Sequence, residues 1–302
     1  MHPRVKASMF SLIDLLNMGF LAVLIGFLIT THDYNPYTDK LYALYGIVLI
    51  FIVALAYFRN INKHIKYNLF YLLSAVVIFI VLYESISGLL PIFVGDIRYD
   101  AWIDILDKQV FGISPTVWMQ RLIFPLLTEV LYLLYFIYFL MPVILIILLY
   151  RNKEYREVEI SLFTLFINYY GAYIAYFFVP VEGPRYYLAN EHTVSLDGLF
   201  LAEPLRDFIN KCEPSTLDCF PSLHTSILIV ITFLASRYYR KIFKSYVVLS
   251  IIIIFSLVYL RYHYILDILS GAIWALISVY LGTYLYEKYS SRFNSHLVDE
   301  AL

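Results

Sequence analysis

Three short stretches hold polar residues that the packing of an apolar chain does not require: VEGPRYY at 181–187, FPSLH at 220–224 and RYHYILD at 261–267. In the second, Pro221 suits a helix start and Ser222 is a good N-cap. The amides of Leu223, His224 and Thr225 would then have no carbonyl partner inside the helix they open. Such an end attracts anions through its free amides and the positive pole of the helix dipole. A phosphate held there, with the Ser222 hydroxyl as a further donor, would stand beside His224. In the third stretch His263 and Asp267 are four residues apart. Sharing a helix face, the carboxylate can take one imidazole proton and leave the other nitrogen's lone pair open, as in a nucleophile or base. Arg185 and Arg261 add planar guanidinium forks suited to phosphate oxygens. With one histidine to attack and another to protonate a leaving oxygen, the set is equipped for phosphoester cleavage.

The elements that must position these residues are apolar. The 302-residue chain is 61% hydrophobic and only 15% charged, against about a quarter charged in a soluble domain. Runs long enough for the hydrocarbon core, which takes about 20 residues of helix, recur along its whole length. The expected architecture is an all-α polytopic transmembrane bundle of about eight spans, at 10–30, 41–58, 68–94, 122–150, 159–180, 222–237, 245–262 and 264–286. The third and fourth are long enough to be tilted or broken, and the sixth is short. Alternating the connections gathers Arg4 and Lys6, Arg59, Lys63 and Lys66, Arg151, Lys153 and Arg156, Arg237, Arg240, Lys241 and Lys244, and Lys288 and Arg292 on one side. By the positive-inside bias that side is the cytoplasm, so both termini are expected there and all three polar stretches on the extracytoplasmic face. Asp14 and Asn17 interrupt the first apolar run and no small-residue cleavage site follows it, so it is expected to be a retained span.

No linker, charge block or repeat divides the chain, and residues 1–302 are expected to form a single membrane domain: N-terminal spans over 1–94, an outer segment over 95–121, and a catalytic core over 122–286. In the outer segment Trp102, Ile103, Leu106 and Val110 recur at helical spacing with Asp100, Asp104, Asp107 and Lys108 between them, the pattern of a helix lying on a membrane surface. A net charge of −1 and the lack of a basic stripe exclude nucleic acid as an expected partner. The 30 tyrosines suit an interfacial belt. Cys212 and Cys219, the only cysteines, both fall beside the second stretch, either as a small disulfide loop in an oxidising compartment or as unpaired residues. His64 and His192 read as hydrogen-bonded interfacial residues, Asn168 as a link between helices, and Glu84 and Glu129 as interfacial caps.

With these residues assembled, the chain resembles the type 2 phosphatidic acid phosphatase superfamily, whose motifs read K-x6-R-P, P-S-G-H and S-R-x5-H-x3-D. PSLH at 221–224 corresponds to the second motif, and Ser256, His263 and Asp267 keep the spacing of the third. Arg185 stands for the arginine of the first, with Phe178 at the lysine position. Leu223 replaces the motif glycine and Leu257 the third-motif arginine, so two usual cations are missing and Arg261 is a candidate substitute. These departures are similar to the branch containing inositol phosphorylceramide synthases, as is DKQVFGISPTVWMQ at 107–120. The resemblance spans roughly 100–286 and implies a six-helix phosphatase core behind added N-terminal spans. It implies a metal-independent, cofactor-free mechanism in which His263 attacks phosphorus, Asp267 orients it, and His224 protonates the departing alkoxide. Arg185, Ser222 and the helix-start amides would hold the developing charge.

The leading expectation is therefore a lipid phosphatase or phosphotransferase acting on a lipid phosphate or phospholipid in the bilayer. Water as acceptor makes it a phosphatase, and an alcohol such as inositol makes it a head-group transferase. A catalytically silent lipid carrier or transporter of the same fold is the alternative from another class. A metal-dependent hydrolase built on the H-x3-D pair is disfavoured by the small number of candidate ligands.

Overall fold

A computed structural model describes residues 9–31, 36–61, 69–213 and 215–293. Within them the chain forms twelve α-helices: α1 (Leu12–Thr30), α2 (Pro36–Ile61), α3 (Leu69–Val94), α4 (Asp100–Phe111), α5 (Pro115–Trp118), α6 (Pro125–Arg151), α7 (Tyr155–Phe178), α8 (Pro184–Tyr187), α9 (Ala202–Cys212), α10 (Leu223–Tyr238), α11 (Arg240–Tyr259) and α12 (Ile265–Phe293). Seven of these (α1, α2, α3, α6, α7, α11 and α12) are long and apolar enough to cross a membrane. The eighth expected span, α10, has 16 residues, about 24 Å of helix against a hydrocarbon core of about 30 Å. α3 and α6 stay continuous over 26 and 27 residues although Pro91 and Pro142 lie inside them. Large apolar side chains face outward along the bundle, among them Ile50, Ile251, Ile273 and Leu276. In water such a surface would drive association, and in lipid it is the proper exterior. The protein is an integral membrane protein.

α10 packs against α6, α7, α11 and α12, and α1 and α3 lie on α7, with α2 against α1 and α3. Surrounded on most sides, α7 can bury the polar Ser161, Thr164 and Asn168. Asn168 acts as expected, donating from Nδ2 to Ser226 Oγ of α10 (3.0 Å), while its backbone carbonyl accepts from the Trp274 indole of α12 (2.8 Å). The polar interruptions of α1 are links of the same kind: Asp14 pairs with Arg59 of α2 at 2.5 Å, and Asn17 accepts from the Tyr170 hydroxyl at 2.7 Å. Asp14 and Asn17 are thus paired away from water, whereas the Ser161 and Thr164 hydroxyls and Asn168 Oδ1 have no hydrogen-bond partner among the described residues.

α4 turns its acidic residues against protein and not toward water. Asp100, Asp104 and Asp107 are buried, whereas Trp102, Ile105, Val110 and Phe111 are exposed. Of the residues expected on one apolar face, only Ile103 points fully inward. The reason is an excess of unpaired donors beneath the helix. Asp100 accepts from the amides of Glu182 (2.9 Å) and Gly183 (2.8 Å) and from the Tyr264 hydroxyl (3.1 Å). Asp107 accepts from the amides of Ile265 (2.9 Å) and Leu266 (3.2 Å), the first residues of α12. Burial nonetheless raises the Asp107 carboxyl to about 6. Helical spacing shows that two faces exist, and the partners decide which one turns inward.

α10 and α12 begin side by side. The Ser222 amide donates to the Asp267 carbonyl at 3.1 Å. A Cβ on Gly271 would lie 2.3 Å from the Ser222 carbonyl oxygen, so only glycine permits this approach. Gly271→Ala is expected to force the two helix starts apart and destabilise the protein by about 1–3 kcal/mol. The measurement is the thermal midpoint in detergent, and an unchanged midpoint would contradict the packing.

Candidate active site

The second polar stretch starts α10 as its residue types suggest. Ser222 is the N-cap, and its Oγ accepts from the Thr225 amide at 3.3 Å. The third stretch behaves differently. α12 begins at Ile265, so His263 lies ahead of the helix and shares no helical face with Asp267. A tight turn places it instead: Arg261 adopts a φ of +66°, and the Tyr262 and His263 amides both return to the Leu257 carbonyl, at 2.8 and 3.2 Å.

This brings the two histidines together. His224 Nδ1 lies 3.0 Å from His263 Nε2, and His263 Nδ1 lies 3.5 Å from Asp267 Oδ2. Between the latter two sits Cys219, whose Sγ donates to Asp267 Oδ2 at 2.8 Å and stands 3.2 Å from His263 Nδ1. The Tyr264 amide also donates to Asp267 Oδ2, at 2.9 Å. Burial, followed by the nearby Asp267 charge, pushes the Cys219 thiol well above its usual range and keeps it protonated. Burial and then His224 push the His263 ring well below the usual histidine value, so it is neutral near pH 7 with a lone pair to offer.

Cys219, His263 and Asp267 each offer one ligand atom within 4.8 Å of the others. The Sγ to Oδ2 separation of 2.8 Å is a hydrogen-bond distance. Two such ligands around one tetrahedral zinc would stand about 3.5 Å apart, so the cluster as built fits a thiol that supports the carboxylate. Both cysteines are free thiols, and Cys219 turns toward Asp267.

On its other side His224 meets residues the sequence reading did not single out. Its Nε2 lies 2.7 Å from Glu213 Oε1 and 2.6 Å from the Tyr135 hydroxyl. Burial would raise the Glu213 carboxyl, but His224 and Arg185 outweigh it and hold it below its ordinary value. Nothing in the local pattern marks Glu213. It follows an apolar-faced surface helix by one residue, and Tyr135 is one tyrosine among many.

Both histidines and Arg185 line one cavity of about 490 Å³. The Arg185 guanidinium lies 4.8 Å over the Tyr262 ring, with Nη1 donating to Asn210 at 2.8 Å. Lys211 lines the same cavity, a second cation that the motif comparison lacked. Arg261 and Ser222 face elsewhere: Arg261 donates to the Val194 carbonyl, and the buried Ser222 hydroxyl is engaged with Thr225. Phe178, at the motif lysine position, is exposed on the end of α7. The cavity is also lined by Tyr83, Tyr138, Tyr169, Tyr173 and Tyr176, whose hydroxyls have no hydrogen-bond partner among the described residues. Asp218 also borders it, raised to about 7 by burial and then by Glu213.

The other sequence candidates serve the framework. Glu129 accepts from the amides of Leu199, Phe200, Leu201 and Ala202 at 2.5–3.2 Å and so anchors the start of α9. His192 bonds Thr116 at 3.1 Å, Glu84 lies at the rim of the cavity, and His64 falls outside the described residues.

A family model described as the PAP2 superfamily matches residues 102–281. No curated protein and no solved structure matches the chain. The matched stretch covers more than half of the 302 residues, from α4 to the last helix, and takes in both histidines and the carboxylates that support them. By that match, the chain belongs to the PAP2 superfamily.

Proposed function

We propose that this protein cleaves a lipid phosphoester through a phosphohistidine formed on His263. PAP2 superfamily membership supports a phosphatase-type activity on lipid phosphoesters. The observation that carries the finer reading is the 3.0 Å contact between His224 Nδ1 and His263 Nε2 at one end of a membrane bundle. A phosphoryl group entering between them meets a neutral nucleophile on one side and a proton donor on the other. His263 Nε2 attacks phosphorus, the bond to the leaving oxygen breaks, and the proton on His224 Nδ1 goes to that oxygen. Water or an alcohol then gives its proton back to His224 and takes the phosphoryl group from His263. Asp267 and Cys219 hold Nδ1 of the nucleophile, with the Cys219 thiol between them. Arg185, Lys211 and the amides of Leu223 and His224, which make no backbone hydrogen bond among the described residues, are the groups available for the phosphoryl oxygens.

The basic residues Arg59, Arg151, Arg237 and Arg240 lie at the helix ends opposite this site, which supports an extracytoplasmic location. The tyrosine-lined part of the cavity supports transfer over hydrolysis. Its five unpartnered hydroxyls each donate and accept, as an alcohol carrying several hydroxyls requires, whereas water alone would need no such chamber.

Purified full-length protein with labelled phospholipids and lipid phosphates, in chelator, with and without inositol, tests these assignments. Wild type is expected to release phosphate or exchange the head group, with exchange depending on the added alcohol, and His263→Ala is expected to lose at least ~10³-fold. Lipid binding without turnover by either protein would match a silent carrier and contradict the proposal. Because burial lowers the proton affinity of His263, the acid limb of kcat/KM is expected below the ordinary histidine value of about 6.5. A limb at or above that value would contradict a neutral nucleophile.

A further inference from the structure

We propose that Glu213 is the positioning residue of the proton donor, holding His224 so that Nδ1, and not Nε2, faces the reacting phosphoester. The inference rests on the phosphohistidine reading above. Glu213 Oε1 is 2.7 Å from His224 Nε2, and the Tyr135 hydroxyl is 3.2 Å from both carboxylate oxygens. Both side chains of the pair are largely enclosed, at 13% and 15% exposure for His224 and Glu213.

One assignment of protons satisfies every atom in this chain of contacts. Tyr135 donates to Glu213, and His224 Nε2–H is shared between the carboxylate and the Tyr135 oxygen. Nδ1–H points to His263 Nε2, which accepts because its other nitrogen faces Asp267 and Cys219. The ring is thus protonated on both nitrogens, with the carboxylate opposite as its counter-charge. When Nδ1 gives its proton to the leaving oxygen, Nε2–H stays on Glu213. The ring remains in place with an Nδ1 lone pair, ready to take the proton of the acceptor in the second step.

The carboxylate is itself held from two sides. α9 carries it, with the Glu213 amide bonded to the Ile209 carbonyl at 3.0 Å, and Glu129 anchors the other end of that helix. Tyr135 and Tyr138 of α6 flank the imidazole, with ring centroids 5.1 and 4.8 Å from it. Arg185 helps to keep Glu213 ionised.

In kcat/KM, which reports the phosphorylation step and not the later uptake of the acceptor's proton, a residue that acts on the proton donor matters only when the leaving oxygen needs a proton. Full-length wild type, Glu213→Gln and Glu213→Asp would be assayed on matched alkyl and p-nitrophenyl phosphoesters, as monoester and diester pairs. p-Nitrophenolate departs without protonation, whereas an alkoxide does not. Glu213→Gln is expected to lose about 10–100-fold on the alkyl esters and less than about fivefold on the nitrophenyl esters. Glu213→Asp is expected to show the same selectivity with a smaller loss, and it carries the test alone should the glutamine variant not fold. Equal losses on both esters, or no loss on either, would overturn the inference, since a merely structural role is blind to the leaving group. Wild type inactive on every ester would instead overturn the phosphoester reading, and this inference with it.

Discussion

The close approach of α10 to α12 is the contact on which the site depends. The Ser222 carbonyl rests where any Cβ at position 271 would collide, and the Ser222 amide donates to the Asp267 carbonyl. These two backbone contacts bring His224, the second residue of α10, within hydrogen-bond reach of the loop that delivers His263 to the start of α12. Helix starts are among the few places in a membrane bundle where backbone donors remain unpaired, so a polar site can form there without breaking the hydrogen bonding of any span.

Around this junction the polar groups form two sets of carboxylate contacts. Asp100 and Asp107, on the inward face of α4, tie down the loop before Arg185 and the start of α12. Glu129 gathers the amides that open α9, the helix carrying Lys211 and leading to Glu213. Asp100 and Asp107 replace water for enclosed backbone amides, each of which would otherwise cost about 1–3 kcal/mol, whereas the amides on Glu129 lie nearer the surface. The apolar residues displaced from the underside of α4 face outward, as expected of a helix with protein on one side and lipid on the other.

The spans were legible in the sequence because lipid requires long apolar runs, and their observed limits fall within a few residues of the hydropathy boundaries for most helices. His224, His263 and Asp267 were legible because their spacing is local and their chemistry unusual for an apolar chain. The orientation of α4 was not, since Trp102 and Asp104 lie on opposite faces whichever face is buried. Glu213, Tyr135 and Cys219 were not legible for another reason. Their contacts join positions far apart in the chain, such as Tyr135 to Glu213 across 78 residues and Cys219 to Asp267 across 48. Arg261 shows the reverse: a guanidinium two residues from His263 suits phosphate by type, yet its turn sends it to the Val194 carbonyl.

The most direct test of the central claim is to trap the covalent intermediate. Full-length protein would be mixed with lipid substrate labelled in its phosphoryl group, quenched in alkali, digested, and the labelled peptide mapped. A base-stable, acid-labile label on His263, formed at the rate of turnover and absent from His263→Ala, is the predicted result. Turnover with no label on the protein, or with the label on another residue, would contradict the account.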